Sequence, residues 1–259
     1  MTTAVKISRR KFLSIALAAV PGATFAHAFA MEPEQLKVNK LALKAFGGQI
    51  SIIHFTDLHY DGDTFLTDEV TAEFMRRKPA FACFTGDLIE KPEYKEGAFT
   101  FIKSLGCPVY GVPGNHDHLS GVSSADYEVA FAATGGRWLE NRSAVTADGQ
   151  IEIVGISGML PPVFAPPQAA HRILLTHYPA IVDGLYNDKF TVILAGHSHG
   201  GQVRAPLFGP LYLPDGVGRY DRGRFETTVG VMNVSAGLGT SMLPIRFNCP
   251  PEITIVSSV

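Results

Sequence analysis

The chain has 259 residues, 46% of them hydrophobic and 18% charged, with a formal net charge of -2 at neutral pH. That length suffices for one sizeable hydrophobic core, and the near-neutral balance argues against a nucleic-acid binder, which normally presents a basic face, so no nucleic-acid partner is expected. An anionic substrate is not excluded, because bound cations can supply local positive charge.

Residues 1–30 stand apart. Ser8-Arg9-Arg10-Lys11-Phe12-Leu13 leads into an apolar run, Leu13 to Val20, and then the small-residue site Ala26-His27-Ala28. A basic start, a modest apolar stretch and an A-x-A site make an export signal. The arginine pair is similar to the twin-arginine signal of bacterial proteins exported already folded. The run is short against the ~20 residues of a stable span, so cleavage and retention as an anchor both stay open. The twin-arginine export machinery is the expected partner, and the periplasm or cell envelope the expected location. Residues 31–259 are expected to form a single domain.

Lys37 to Phe46 alternates loosely, Gly47-Gly48 offers a turn, and Gln49 to Thr56 is apolar and β-branched. This predicts a hairpin leading into a buried strand, with Asp57-Leu58-His59 at its end. Phe65 to Arg77 has helical spacing, with Phe65, Val70, Phe74 and Met75 inward, and Pro79 stops it. Ala80 to Thr85 reads as a second buried strand tipped by Gly86-Asp87. Tyr94 to Leu105 reads as a second helix, ended by Gly106. Pro108 to Val112 is a third strand, tipped by Pro113-Gly114-Asn115-His116-Asp117, and a third helix covers about Ala125 to Thr134.

The pattern then changes. Ser143 to Thr146 and Ile151 to Ile156 flank Asp148-Gly149, a hairpin signal. A proline-rich loop, Pro161 to Pro167, precedes the strand Arg172 to Leu175, which ends in Thr176-His177-Tyr178. After a short helix, Ile181 to Tyr186, the apolar run Phe190 to Ala195 delivers Gly196-His197-Ser198-His199-Gly200. Gln202 to Arg204, Thr227 to Asn233 and Glu252 to Val256 are β-type. A βαβαβ first half and a hairpin-rich second half predict the α/β class, as a four-layer αββα sandwich of two mixed β-sheets. The three cysteines, Cys83, Cys107 and Cys249, are too few and scattered for a disulfide framework or a thiolate zinc site, and read as buried free thiols.

Five strand ends therefore carry Asp57 and His59, Asp87, Asn115 and His116, His177, then His197 and His199. All are oxygen or imidazole donors, which suit manganese, iron or zinc better than calcium. Their number exceeds what one tetrahedral ion needs. Two divalent ions at the strand C-terminal ends could clamp a phosphoryl group and lower the pKa of a water between them.

In this order the set resembles the calcineurin-like metallophosphoesterases, whose pattern of Asp-x-His, Gly-Asp, Gly-Asn-His-Asp, His and Gly-His-x-His is complete from Asp57 to His199. The resemblance implies that Asp57, His59 and His199 hold one metal, that Asn115, His177 and His197 hold the other, and that Asp87 bridges them. It implies that His116 is no ligand but faces the scissile phosphate, as general acid or hydrogen-bond donor, with Asp117 orienting it.

The carboxyl-terminal third looks like a bacterial subgroup of exported phosphodiesterases and of relatives that cleave the pyrophosphate of UDP-2,3-diacylglucosamine. Gly200-Gly201-Gln202-Val203-Arg204, Tyr220-Asp221-Arg222-Gly223 and Leu243-Pro244-Ile245-Arg246-Phe247-Asn248 carry that likeness. One departure is Ser157-Gly158 after Ile156, where many relatives have acidic residues. The expected activity is hydrolysis of a phosphodiester or pyrophosphate, on a lipid-linked or cell-envelope substrate. A broad phosphomonoesterase or nucleotidase and a silent metal-binding envelope protein stay open as alternatives. Arg204, Arg222 and Arg246 are either contacts to a second phosphate or headgroup, or structural. Met159 to Pro167 and Pro206 to Leu213 either form an apolar rim with peripheral membrane affinity, or pack on the core.

Overall fold

A computed structural model describes residues 28, 31–46, 50–186 and 188–258; the export segment, apart from Ala28, and the Gly47-Gly48 turn lie outside the described residues. Two six-stranded sheets face each other. The first has the order β1 (Lys37–Leu43), β14 (Glu252–Ser258), β2 (Ser51–Phe55), β3 (Phe81–Phe84), β4 (Val109–Gly111), β5 (Arg137–Trp138). The second has the order β12 (Gly223–Thr227), β13 (Gly230–Val234), β9 (Val192–Ala195), β8 (His171–Thr176), β7 (Ile151–Ile156), β6 (Ser143–Val145). Both sheets are mixed. β2 to β5 run parallel, as do β7, β8, β9 and β13, so the loops bearing the candidate ligands leave the sheets at carboxyl ends.

The strands read as unbroken apolar runs because both faces are covered. The alternation appears only in where the side chains go. Ile53, Phe55, Ala82 and Phe84 pack outward against helices α1 (Phe65–Arg77), α2 (Lys95–Ser104) and α4 (Ser124–Ala132), with the short α3 (Asn115–Leu119) following β4. Ile52, Cys83, Ile173, Leu175, Val192 and Leu194 fill the space between the sheets. Leu174, Ile193 and Ala195 face the far side, where the 3-10 turn Pro179–Gly184 and loops supply a thin fourth layer.

Helix α1 has the bounds that its spacing predicts, and Val70 and Phe74 are buried. Phe65 and Met75 are exposed instead, so the buried stripe is narrower than the apolar pattern suggested. The expected β1–β2 hairpin does not form. β14 lies between those strands, parallel to β1 and antiparallel to β2. The burial explains the order: β14 is buried along most of its length and takes the interior, while β1 alternates with exposed Lys37 and Lys40 and suits an edge. A second correction concerns Thr227 to Asn233, which turns rather than running straight. The Thr227 hydroxyl accepts from the amides of Val229 and Gly230, closing a β12–β13 hairpin.

Arg246 is a brace and not a phosphate ligand. It is wholly buried, and its guanidinium donates to the carbonyls of Ala236, Gly237, Gly239 and Cys249. The loop it holds backs onto Asp57, whose carbonyl accepts from the Gly239 amide at 2.7 Å. Arg246→Met leaves those carbonyls without their donor, so we expect a loss of at least about 3 kcal/mol of stability in urea denaturation. Arg204 pairs with Asp221 at 2.8 Å and Arg222 donates to the Asn248 carbonyl at 3.4 Å, so both are tied within the chain.

Candidate metal centre

The loops after β2 and β3 continue the ladder of their strands. Asp57 N–H donates to Gly86 C=O at 2.8 Å, His59 N–H to Asp87 C=O at 3.0 Å, and Tyr60 N–H to Leu88 C=O at 2.9 Å. Positive φ angles then aim the side chains inward: Asp57 (51°), His59 (48°), Asp87 (59°), His197 (67°) and His199 (46°). Each such residue costs roughly 1 kcal/mol against the common regions, and five of the seven predicted ligands share this strain. Crowding demands glycine beside them. A Cβ at Gly196 would stand 2.4 Å from Asp57 Oδ2, and one at Gly114 would stand 2.1 Å from Asp87 Oδ1.

All seven predicted ligands come together, and second partners fix which atom each presents. His177 Nδ1 donates to the Thr85 carbonyl at 2.7 Å, which leaves Nε2 facing Asn115 Oδ1 at 3.2 Å and His197 Nδ1 at 3.0 Å. His197 Nε2 donates to the Asp215 carbonyl at 2.8 Å, so its Nδ1 is the free donor atom. On the other side His59 Nε2 lies 3.1 Å from His199 Nε2, which is 3.4 Å from Asp57 Oδ1. One oxygen belongs to both groups: Asp87 Oδ2 is 3.3 Å from His177 Nε2 and 3.6 Å from His59 Nε2. Its other oxygen, Oδ1, accepts from the His116 amide at 2.8 Å and is thereby held aside.

Two triads with mutually close donor atoms result, Asp57-His59-His199 and Asp87-His177-His197, both buried. Facing imidazole nitrogens without a proton or cation between them repel, and the charge balance shows the strain. Burial pulls the His177 imidazole down, but the Asp87 carboxylate outweighs it and lifts the group to about 9. Burial and then the positive His177 push His197 down to about 4. Burial favours a neutral Asp87, yet His177 and His59 hold it ionised well below the usual carboxylate range. A divalent ion in each group satisfies the same lone pairs, and the nitrogen-and-oxygen donor set fits a first-row metal.

Asp117 departs from its expected role. Its carboxylate accepts from the amides of Asp87 (2.7 Å), Leu88 (2.9 Å) and Gly114 (2.9 Å) and from the Tyr127 hydroxyl (3.0 Å). It therefore clamps the β3 and β4 loops together and does not orient the His116 ring. The group on that ring is Glu90, whose oxygens lie 3.1 and 3.2 Å from His116 Nδ1. Glu90 also accepts from His59 Nδ1, and that bond holds its carboxyl below the usual range. No motif in the sequence singles out Glu90. Its place after Leu88 and Ile89, both fully buried, turns it back to the site only in the folded chain. Because one carboxylate serves both histidines, Glu90→Gln should lower kcat/KM or manganese affinity by roughly 10- to 100-fold, read by diester hydrolysis and metal titration.

The floor formed by Asp87, Asn115, His116, His197 and His199 opens into a cleft of about 770 Å³, walled by Leu211, Tyr212, Met242, Leu243 and Ile245. Among the two apolar stretches, Phe164 packs on Phe190 with ring centroids 5.6 Å apart, whereas Leu207, Phe208, Leu211 and Tyr212 are exposed.

A sequence model described as calcineurin-like phosphoesterase matches residues 50–201, from β2 to the Gly-His-x-His-Gly-Gly loop. The chain belongs to the calcineurin-like phosphoesterase family. It is a metal-dependent hydrolase, and the two clusters account for the two divalent ions that calcineurin-like phosphoesterases use. The match extends beyond the family model. The chain is 28% identical to the phosphodiesterase YaeI of Escherichia coli (strain K12), over 98% of this chain and 100% of that one. It is 28% identical to the uncharacterized metallophosphoesterase YkuE of Bacillus subtilis (strain 168), over 96% and 97% of the two chains. With the UDP-2,3-diacylglucosamine pyrophosphatase LpxG of Chlamydia trachomatis it shares 26% identity, over 92% and 94%.

Proposed function

We propose that the protein hydrolyses a phosphodiester or pyrophosphate carried by an amphiphilic, lipid-linked molecule of the cell envelope. One observation carries this reading. The cleft above the metal floor is lined by apolar side chains and by no lysine or arginine among the described residues. A phosphomonoester dianion is normally met by such cations in addition to metals. A diester carries one charge fewer, a disubstituted pyrophosphate carries only one on each phosphoryl group, and an apolar substituent on either matches the walls. The names of the YaeI and LpxG relatives agree with that chemistry.

In this account Asp57, His59 and His199 would hold one ion and Asn115, His177 and His197 the other, with Asp87 contributing to both. Bound divalent ions supply Lewis acidity toward the phosphoryl oxygens and lower the pKa of water toward neutrality. The remaining work belongs to the chain. Glu90 accepts from His116 Nδ1; in the doubly protonated ring Nε2 carries the second proton and gives it to the departing oxygen. Manganese is the metal we would supply first. Residues 1–30 direct the protein through the twin-arginine machinery to the envelope.

The test compares bis-p-nitrophenyl phosphate, p-nitrophenyl phosphate and UDP-2,3-diacylglucosamine with the manganese-loaded full chain. The diester or the lipid nucleotide should exceed the monoester in kcat/KM by at least ~10-fold, about 1.4 kcal/mol in barrier. A preference for the monoester would replace this reading with a phosphomonoesterase.

A further inference from the structure

We propose that the mouth of the cleft is a membrane-docking surface, on which Leu207, Phe208, Leu211, Tyr212, Met242 and Leu243 seat the protein on a lipid bilayer with the metal floor facing the lipid. Fifteen large apolar side chains are exposed among the described residues, and nine of them fall within residues 159–163, 207–212 and 242–243. Leu207 and Phe208, at the tip of the ribbon formed by β10 (Arg204–Ala205) and β11 (Gly209–Pro210), are 104% and 88% exposed. From Pro206 to Pro214 and from Ala236 to Ile245 the sequence contains no Asp, Glu, Lys or Arg. Gly216, two residues beyond the cleft-lining Pro214, has the Met159 sulfur 3.3 Å from where its Cβ would stand. Soluble surfaces rarely leave such a charge-free apolar patch open unless something covers it. Tyr212 adds a ring with one polar end, which suits a water–lipid boundary.

The way the chain enters the domain identifies the cover as lipid. The Ala28 carbonyl accepts from the Arg246 amide at 3.0 Å. Arg246 follows Ile245, which lines the cleft. The sequence leading to Ala28 carries Arg9, Arg10 and Lys11 and then the apolar run Leu13 to Val20. A basic segment followed by an apolar one partitions to an anionic lipid surface. Its point of attachment is the residue after the cleft-lining Ile245, so a segment that is retained starts within a few residues of the rim. No helix among the described residues is long and apolar enough to cross a membrane. Docking stands independently of the proposed hydrolysis; only its consequence, that a headgroup phosphate reaches the metals from the bilayer, rests on that reading.

The full chain is reconstituted with vesicles of phosphatidylglycerol and phosphatidylethanolamine brominated on the acyl chains. Fluorescence is compared for Phe208→Trp and for Val129→Trp, a site 70% exposed on α4; the native Trp138, 3% exposed, is a shared background. The lipid should quench the added tryptophan of Phe208→Trp at least ~2-fold and leave that of Val129→Trp unchanged. Equal quenching at both, or none at 208, overturns the proposal. As a second reading, the pair Leu207→Glu and Phe208→Glu should slow a vesicle-borne phosphodiester ~10-fold and leave bis-p-nitrophenyl phosphate unchanged. Equal loss on both substrates would contradict a docking role. Failure of the unaltered chain on both would sink the hydrolytic reading and leave docking to be decided by the quenching. A detergent-solubilised dimer that the glutamate pair dissociates, together with no quenching, would assign the rim to a contact between copies and end the lipid proposal.

Discussion

Asp87→Asn is expected to lower diester hydrolysis by roughly 10³-fold or more, about 4 kcal/mol in barrier. Asp87 Oδ2 is the oxygen common to both histidine groups, at 3.3 Å from His177 and 3.6 Å from His59. Asparagine keeps an oxygen for the His116 amide but removes the negative charge that the other ligands cluster around. Both ions should therefore weaken together, not one alone. Metal content by mass spectrometry, with kcat/KM on bis-p-nitrophenyl phosphate, checks this. Asn115→Ala, by contrast, withdraws one neutral donor from one group and should spare the other ion. A variant at Asp87 that retained two ions and near-normal turnover would refute the shared-ligand geometry.

His116→Ala should cost about 10²- to 10⁴-fold in kcat while leaving metal content unchanged. The imidazole stands at the cleft floor, outside both buried triads, with Nδ1 on Glu90. Its proton matters most where the leaving oxygen is basic. The loss should therefore be largest for an alkyl leaving group and smallest for p-nitrophenolate, which departs without protonation. A series of methyl phosphodiesters with leaving groups of graded basicity reads this directly. A loss of the same size across the series would make His116 a positioning group and not a proton donor.

The site was more legible in the sequence than the topology was. A strand that ends in Gly-Asp or Gly-His-x-His announces itself locally, because the apolar run, the glycine and the donor are contiguous. The placement of β14 between β1 and β2 leaves no such trace, since Lys37 pairs with Glu252 across most of the chain. Glu90 escaped for a related reason. A glutamate after two apolar residues looks like a surface position until Tyr60 and Ile89 are seen to form a bridge that draws the two loops together. Asp117 sits beside His116 in sequence, which suggested a pairing that the fold does not make; the helical turn Asn115–Leu119 sends the carboxylate back to the amides of Asp87 and Leu88. The sequence around Arg246 suits a phosphate ligand and a brace equally, because only burial distinguishes them, and burial is a property of the finished fold.

The central claim is that five strand ends build two metal positions around one aspartate oxygen. Anomalous scattering from crystals of the full chain grown with manganese tests it most directly. Two peaks per chain are predicted, roughly 3.5–4 Å apart on either side of Asp87 Oδ2. One should be ringed by Asp57, His59 and His199, the other by Asn115, His177 and His197. A single peak, or an ion seated instead among His59, Glu90 and His116, the third group whose donor atoms lie close enough for one, would contradict the account.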